Sequence, residues 1–189
     1  MRLFLGIDLS DSVREAAAAI SESLQRRLAQ RVDARWIPAA NLHITLWFLG
    51  EKSDEDAQAL LRAFDLPFNE AAFRVSIGGL GLFPRSGAPR IFWLGIQSGK
   101  EPLLRVYGEI AQRLLPFGIQ PESRPFSPHL TIARVKDVRR RGRPRELRDE
   151  LAELPAVAGV FRVDAVTIFR SRLSPKGASY ERLLRVPLQ

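Results

Sequence analysis

His43-Ile44-Thr45-Leu46 and His129-Leu130-Thr131-Ile132 decide how this chain is read. They contain both of its histidines and two of its three threonines. In each, an apolar residue follows the histidine and another follows the threonine, which is the alternation of a half-buried strand. Residues i and i+2 of a strand project from one face. Imidazole and hydroxyl therefore leave the strand together, while Leu42, Ile44, Leu46, Leu130 and Ile132 anchor the opposite face in a core.

The two histidines are 86 residues apart, and other segments recur at nearly that interval, the signature of an internal duplication. Arg2-Leu3-Phe4-Leu5-Gly6-Ile7 resembles Arg90-Ile91-Phe92-Trp93-Leu94-Gly95-Ile96. Phe73-Arg74-Val75 recurs as Phe161-Arg162-Val163, each opening a run that ends in Phe83 or Phe169. Helical patterns occupy corresponding places. Val13, Ala17, Ile20, Leu24 and Leu28 follow a Ser12-x-x-Glu15 capping box, and Leu103, Val106, Ile110 and Leu114 follow Pro102. Shorter patterns run from Ser53 to Phe64 and from Arg143 to Leu154. Each half thus reads strand, helix, motif strand, helix, strand, with the repeats over residues 1–88 and 89–178. A last strand within 179–188, beginning at Tyr180, is expected to complete the sheet of one half. These signs predict a single α+β domain of two lobes around a pseudo-twofold axis, each with a mostly antiparallel sheet backed by helices. The axis would bring His43, Thr45, His129 and Thr131 together across a central cleft.

A length of 189 residues with 46% hydrophobic residues suffices for one such core. No stretch reaches the roughly 18 unbroken apolar residues of a membrane span, and the N-terminus is too short and too soon acidic for a signal peptide. The expectation is a soluble, cytoplasmic, monomeric protein. Zero cysteines remove disulfides and thiolate metal sites, and two histidines without a ligand spacing leave zinc short of donors, so no metal and no cofactor are expected. The formal charge of +8 attracts polyanions. Its densest block, Arg139-Arg140-Arg141-Gly142-Arg143-Pro144-Arg145, reads either as a solvated loop or helix start or as a contact to an RNA backbone. Gly78 to Gly81 lies in a strand-like run and marks a bulge.

Two facing imidazoles suit acid and base work in one step, because imidazole is the side chain best able to be half-protonated near neutrality. Displacement at phosphorus fits. One neutral ring takes a proton from the attacking oxygen, and the other protonates the departing oxygen. The two threonine hydroxyls can donate to non-bridging phosphate oxygens.

The motifs and their flanks resemble the 2H phosphoesterases, in particular the branch of bacterial and archaeal RNA 2′,3′-cyclic phosphodiesterases, also called 2′-5′ RNA ligases. The resemblance is carried by Arg2 to Asp8, Arg35-Trp36-Ile37-Pro38, Asn41 to Gly50, Phe83-Pro84-Arg85, Arg90 to Gly95, Phe126 to Arg134, and Ser171, Gly177 and Tyr180. Trp47 departs from the lysine frequent in the family. The resemblance implies metal-free hydrolysis of an RNA end or a small nucleotide bearing a 2′,3′-cyclic phosphate to a 2′-phosphate, with 2′-5′ ligation as a related activity. His43 would be the acid and His129 the base. Arg134 is a candidate phosphate contact, although simple alternation puts it on the wrong face unless a bulge redirects it. Phe83, Trp47 and Tyr180 are candidates for stacking on a base. Two other readings stay open: a module that binds a nucleotide or RNA end without turnover, and an enzyme acting on another small cyclic nucleotide.

Overall fold

The computed structural model describes residues 1–139, 144–174 and 177–189. Among them, the strands are β1 (Arg2–Asp8), β2 (Val32–Trp36), β3 (His43–Glu51), β4 (Phe73–Phe83), β5 (Ile91–Ser98), β6 (His129–Val138), β7 (Val157–Val163), β8 (Ala165–Ser174) and β9 (Gly177–Pro187). The helices are α1 (Asp11–Leu28), α2 (Asp54–Ala63), α3 (Lys100–Leu114) and α4 (Pro144–Glu153).

The helices form where apolar residues recur at helical spacing. In α1, Val13, Ala17, Leu24 and Leu28 are buried, and α1 lies against β7. Its cap is Ser10 rather than Ser12: the Ser10 hydroxyl accepts from the Val13 amide, and Ser12 lies within the first turn. Ser53 caps α2 in the same way through the Asp56 amide. In α3, Leu103, Val106, Ile110 and Leu114 are buried.

Strand pairing follows the order β7-β4-β5-β6-β3-β1-β8-β9, with β2 added beside β6. The expected α+β architecture holds, but the two expected sheets are the two ends of one antiparallel path. They join where Ile44 pairs with Leu130. Read outward from that joint, β6-β5-β4-β7 and β3-β1-β8-β9 match strand for strand, the ordering a pseudo-twofold requires. The run from Phe161 to Phe169, expected to be one strand equivalent to β4, is broken at Asp164 into β7 and β8. Phe161-Arg162-Val163 then pairs directly with Val75-Arg74-Phe73. Each lobe therefore draws on both halves of the sequence: β4 lies beside β5, and β1 takes β8 as its second neighbour.

Buried side chains from both lobes form one continuous hydrophobic core. The Gly78–Gly81 segment is a bulge: register shifts there against β5, and Gly79 has φ +69°. No described helix is long and apolar enough to cross a membrane.

Candidate active site

The joint between β3 and β6 builds the site. Ile44 and Leu130 are wholly buried beneath it, which turns the flanking His and Thr residues to the opposite face. Continuing the antiparallel register one residue either way from Ile44 and Leu130 sets His43 beside Thr131 and Thr45 beside His129. The four expected residues are thus brought together, each histidine next to the other motif's threonine.

Both rings are held in the same manner. His43 Nδ1 lies 2.7 Å from the Asn41 carbonyl, and His129 Nδ1 lies 2.7 Å from the Ser127 carbonyl. A carbonyl can only accept, so Nδ1 carries the proton and Nε2 is the exchangeable atom. His43 Nε2 is 3.0 Å from the Thr45 hydroxyl, which donates to the neutral ring. Gly6 makes space for this ring: a Cβ there would sit 2.9 Å from the Ile44 carbonyl oxygen and 3.3 Å from His43 Cδ2. Phe4, Phe169 and Tyr180 surround His43, with centroids 4.8, 5.9 and 5.2 Å from its own. Phe83 meets His129 edge-on at 5.1 Å, and Trp93 lies 6.4 Å from it.

Burial lowers the pKa of both histidines, most of all for want of water around the charged form. The carbonyl bonds oppose that effect and the charge of Arg134 adds to it. The surroundings differ in one respect. Asp8 pairs with His43 across β1 and β3 and favours its charged form, whereas Gly95 occupies the same place opposite His129. Burial raises the Asp8 pKa, but hydrogen bonds from Arg182 and Thr167, with the charges of Arg182 and Arg14, outweigh it and keep the carboxyl ionised.

Arg134 reaches the cleft, and a bulge explains how. Trp93 pairs with Thr131 and Phe92 with Ala133, so Ile132 is the extra residue and alternation shifts by one. The same happens in β3. Leu5 pairs with Trp47 and Gly6 with Thr45, leaving Leu46 as the insertion. Trp47 is consequently not in the cleft, contrary to expectation. It is 6% exposed and stacks on Tyr107 of α3 at 4.9 Å. The residue turned into the cleft is Phe48, which is 55% exposed. Phe48 stands five residues after His43 as Arg134 stands five after His129, so the repeat itself carried the signal that could have found it.

A cavity of about 560 Å³ opens on the His43 side. His43, Thr45, Thr131, Arg134, Phe48 and Tyr180 line it, with Arg2, Arg35, Trp36 and Gly177. Among the described residues no group of three or more His, Cys, Asp or Glu side chains is gathered to hold a metal. Arg139 lies past the end of β6, its amide bonded to the Arg31 carbonyl. Arg140 and Arg141 fall outside the described residues.

The model of the 2′-5′ RNA ligase superfamily matches residues 7–174. The chain belongs to this superfamily. Relatives named RNA 2′,3′-cyclic phosphodiesterase include one from Thermotoga maritima, 34% identical over 97% of this chain and 93% of the relative. Another, from Methanocaldococcus jannaschii, is 31% identical over 96% of this chain and 97% of the relative. Among solved structures, TT0787 of Thermus thermophilus aligns with TM-score 0.76 and 29% identity, covering 100% of this chain and 98% of that one. Escherichia coli LigT complexed with 3′-AMP aligns with TM-score 0.73 and 26% identity, covering 99% of this chain and 97% of that one. The 2H phosphoesterase resemblance of the sequence is thereby the family of the protein.

Proposed function

We propose that this superfamily member hydrolyses the 2′,3′-cyclic phosphate of an RNA end or nucleoside to a 2′-phosphate, with His43 as general acid and His129 as general base. The observation that carries this reading is the pair of imidazoles tethered alike through Nδ1 on two adjacent strands, whose register sets each histidine beside the threonine of the other motif. The names of the relatives supply the substrate class.

The step balances with these groups alone. His129 Nε2 takes a proton from water as its oxygen bonds to phosphorus. The bond from phosphorus to O3′ breaks, and Nε2–H of His43 protonates that oxygen, leaving a 2′-phosphate and a 3′-hydroxyl. Thr45, Thr131 and Arg134 donate to the non-bridging oxygens as charge builds there. Asp8 favours the imidazolium on the His43 side, and Gly95 offers no such charge to His129, which supports the assignment of acid and base. The same displacement with a 5′-hydroxyl in place of water gives a 2′-5′ linkage, so ligation needs no further group.

The test is incubation of the pure protein with 2′,3′-cyclic AMP in EDTA, followed by separation of 2′-AMP from 3′-AMP. The expected product is 2′-AMP. Formation of 3′-AMP would reverse the leaving oxygen, tight binding without turnover would make the protein a binding module, and loss of activity in EDTA would end the metal-free scheme.

A further inference from the structure

The cavity is larger and more basic than one cyclic phosphate requires. Arg2, Arg35 and Arg134 all line it, none of their guanidinium groups makes an ion pair or hydrogen bond among the described residues, and no described Asp or Glu lines it with them. Two of the three are direct cross-strand partners: Arg35 of β2 pairs with Arg134 of β6. Like charges directly opposite each other repel and cost stability. The chain has a second such pair, Arg74 and Arg162 of β4 and β7, but Arg162 lines a small pocket together with Asp8 and Asp164, so carboxylates are close by. Asp33 and Asp137 pair further along the same two strands, but no described Asp or Glu lines the cavity with Arg35 and Arg134, which leaves that face open to an incoming anion.

The two guanidinium groups are directed differently. Arg134 is close enough to bias both imidazoles. Arg35 instead leans on β9, over Gly177: a Cβ on Gly177 would stand 2.8 Å from Arg35 Nη2, and the glycine has φ +132°, where side chains are strained. The strand end is shaped to receive this arginine. The Asn41 side-chain amide fixes the neighbouring backbone by donating to the Ala178 carbonyl at 2.6 Å.

Resting on the reading of the cleft as a cyclic phosphate site, we infer that Arg35, with Arg2, holds the phosphodiester on the 5′ side of the terminal nucleotide, while Arg134 holds the reacting phosphate. The cavity then recognises a nucleotide phosphorylated on both sides of its ribose, which is what an RNA end presents and a lone nucleoside cyclic phosphate does not.

The experiment compares binding of adenosine 2′-phosphate and adenosine 2′,5′-bisphosphate by calorimetry, for the wild type and Arg35→Gln. A second charge-assisted contact should tighten bisphosphate binding to the wild type by about tenfold or more. Arg35→Gln should lose most of that gain while its affinity for the monophosphate stays within about threefold; circular dichroism verifies the fold of this surface variant. No gain from the 5′-phosphate in the wild type overturns the inference. So does an equal loss on both ligands, which would put Arg35 on the reacting phosphate, or an Arg35→Gln variant that keeps the full gain. The readout does not depend on turnover. A 5′-phosphate gain in a protein that fails to hydrolyse 2′,3′-cyclic AMP removes the hydrolase reading alone, and turnover without the gain removes the subsite alone.

Discussion

At the scale of the residue, the site depends on which nitrogen is free and on what surrounds it. His43→Ala or His129→Ala should each lower kcat on 2′,3′-cyclic AMP by at least about 10²-fold, as the loss of one acid or base does. The double variant should fall far less than the product of the two, because the rings act in one step. Near wild-type turnover in either single variant would remove that residue from the chemistry. Thr45→Val and Thr131→Val keep shape and lose a donor to an anionic oxygen, so each should cost about 1–3 kcal/mol in kcat/KM. The pH dependence follows from the two lowered histidine pKa values. A protonated acid and a neutral base are both required, and both free-enzyme values lie below the ordinary value of about 6.5. The kcat/KM bell should therefore be centred on the acid side of 6.5, its limbs belonging to the coupled pair. Asp8→Asn removes a charge that favours protonated His43, so the bell should move to still lower pH; a profile that stays in place would deprive Asp8 of this role.

At the scale of the element, the matched bulges at Leu46 and Ile132 determine which side chains see substrate. They separate two neighbours that sequence alone treats as equals. Trp47→Ala removes a core ring stacked on Tyr107 and should cost about 3–5 kcal/mol of stability in denaturant unfolding. Phe48→Ala touches an exposed ring, so it should change stability by about 0.5 kcal/mol or less and raise KM instead. The opposite pattern would mean that the bulge in β3 is misplaced. The motif faces are legible in the sequence because apolar and polar residues alternate strictly around His43 and His129, as on a strand with one buried face. The bulges are less so, since two adjacent apolar residues such as Leu46-Trp47 or Ile132-Ala133 read equally well as the end of the alternation, and only the matching spacing of Phe48 and Arg134 after the histidines marks them. The likeness between Phe73-Arg74-Val75 and Phe161-Arg162-Val163 is a true signal with a different meaning: the two segments are partners across β4 and β7, a relation that needs the fold to be seen. The Ser12 cap fails for a simpler reason, that Ser10 offers the same hydroxyl one half-turn earlier.

At the scale of the whole molecule, charge and topology matter more than any contact. Arg139 is separated from His129 by ten residues, roughly 30 Å at about 3.3 Å per residue of strand. If RNA extends that far, Arg139→Ala, Arg140→Ala and Arg141→Ala together should flatten the salt dependence of binding for a long oligonucleotide ending in a cyclic phosphate. They should leave a dinucleotide with the same end unaffected. Fluorescence anisotropy at several salt concentrations measures both, and identical slopes for the long strand would return the arginines to a solvated loop. The exchange of strands between repeats has a consequence for synthesis. β1 is made well before its partner β8, which begins only at Ala165, and β9 follows at Gly177. At about 5–20 residues per second, a translating ribosome keeps β1 waiting on the order of ten seconds for that neighbour. Phe169 and Tyr180, two walls of the His43 chamber, arrive at the end of this interval. A nascent chain interrupted before them carries both histidines but no assembled cleft, so the paired imidazoles gain their full enclosure only after β8 and β9 have been made.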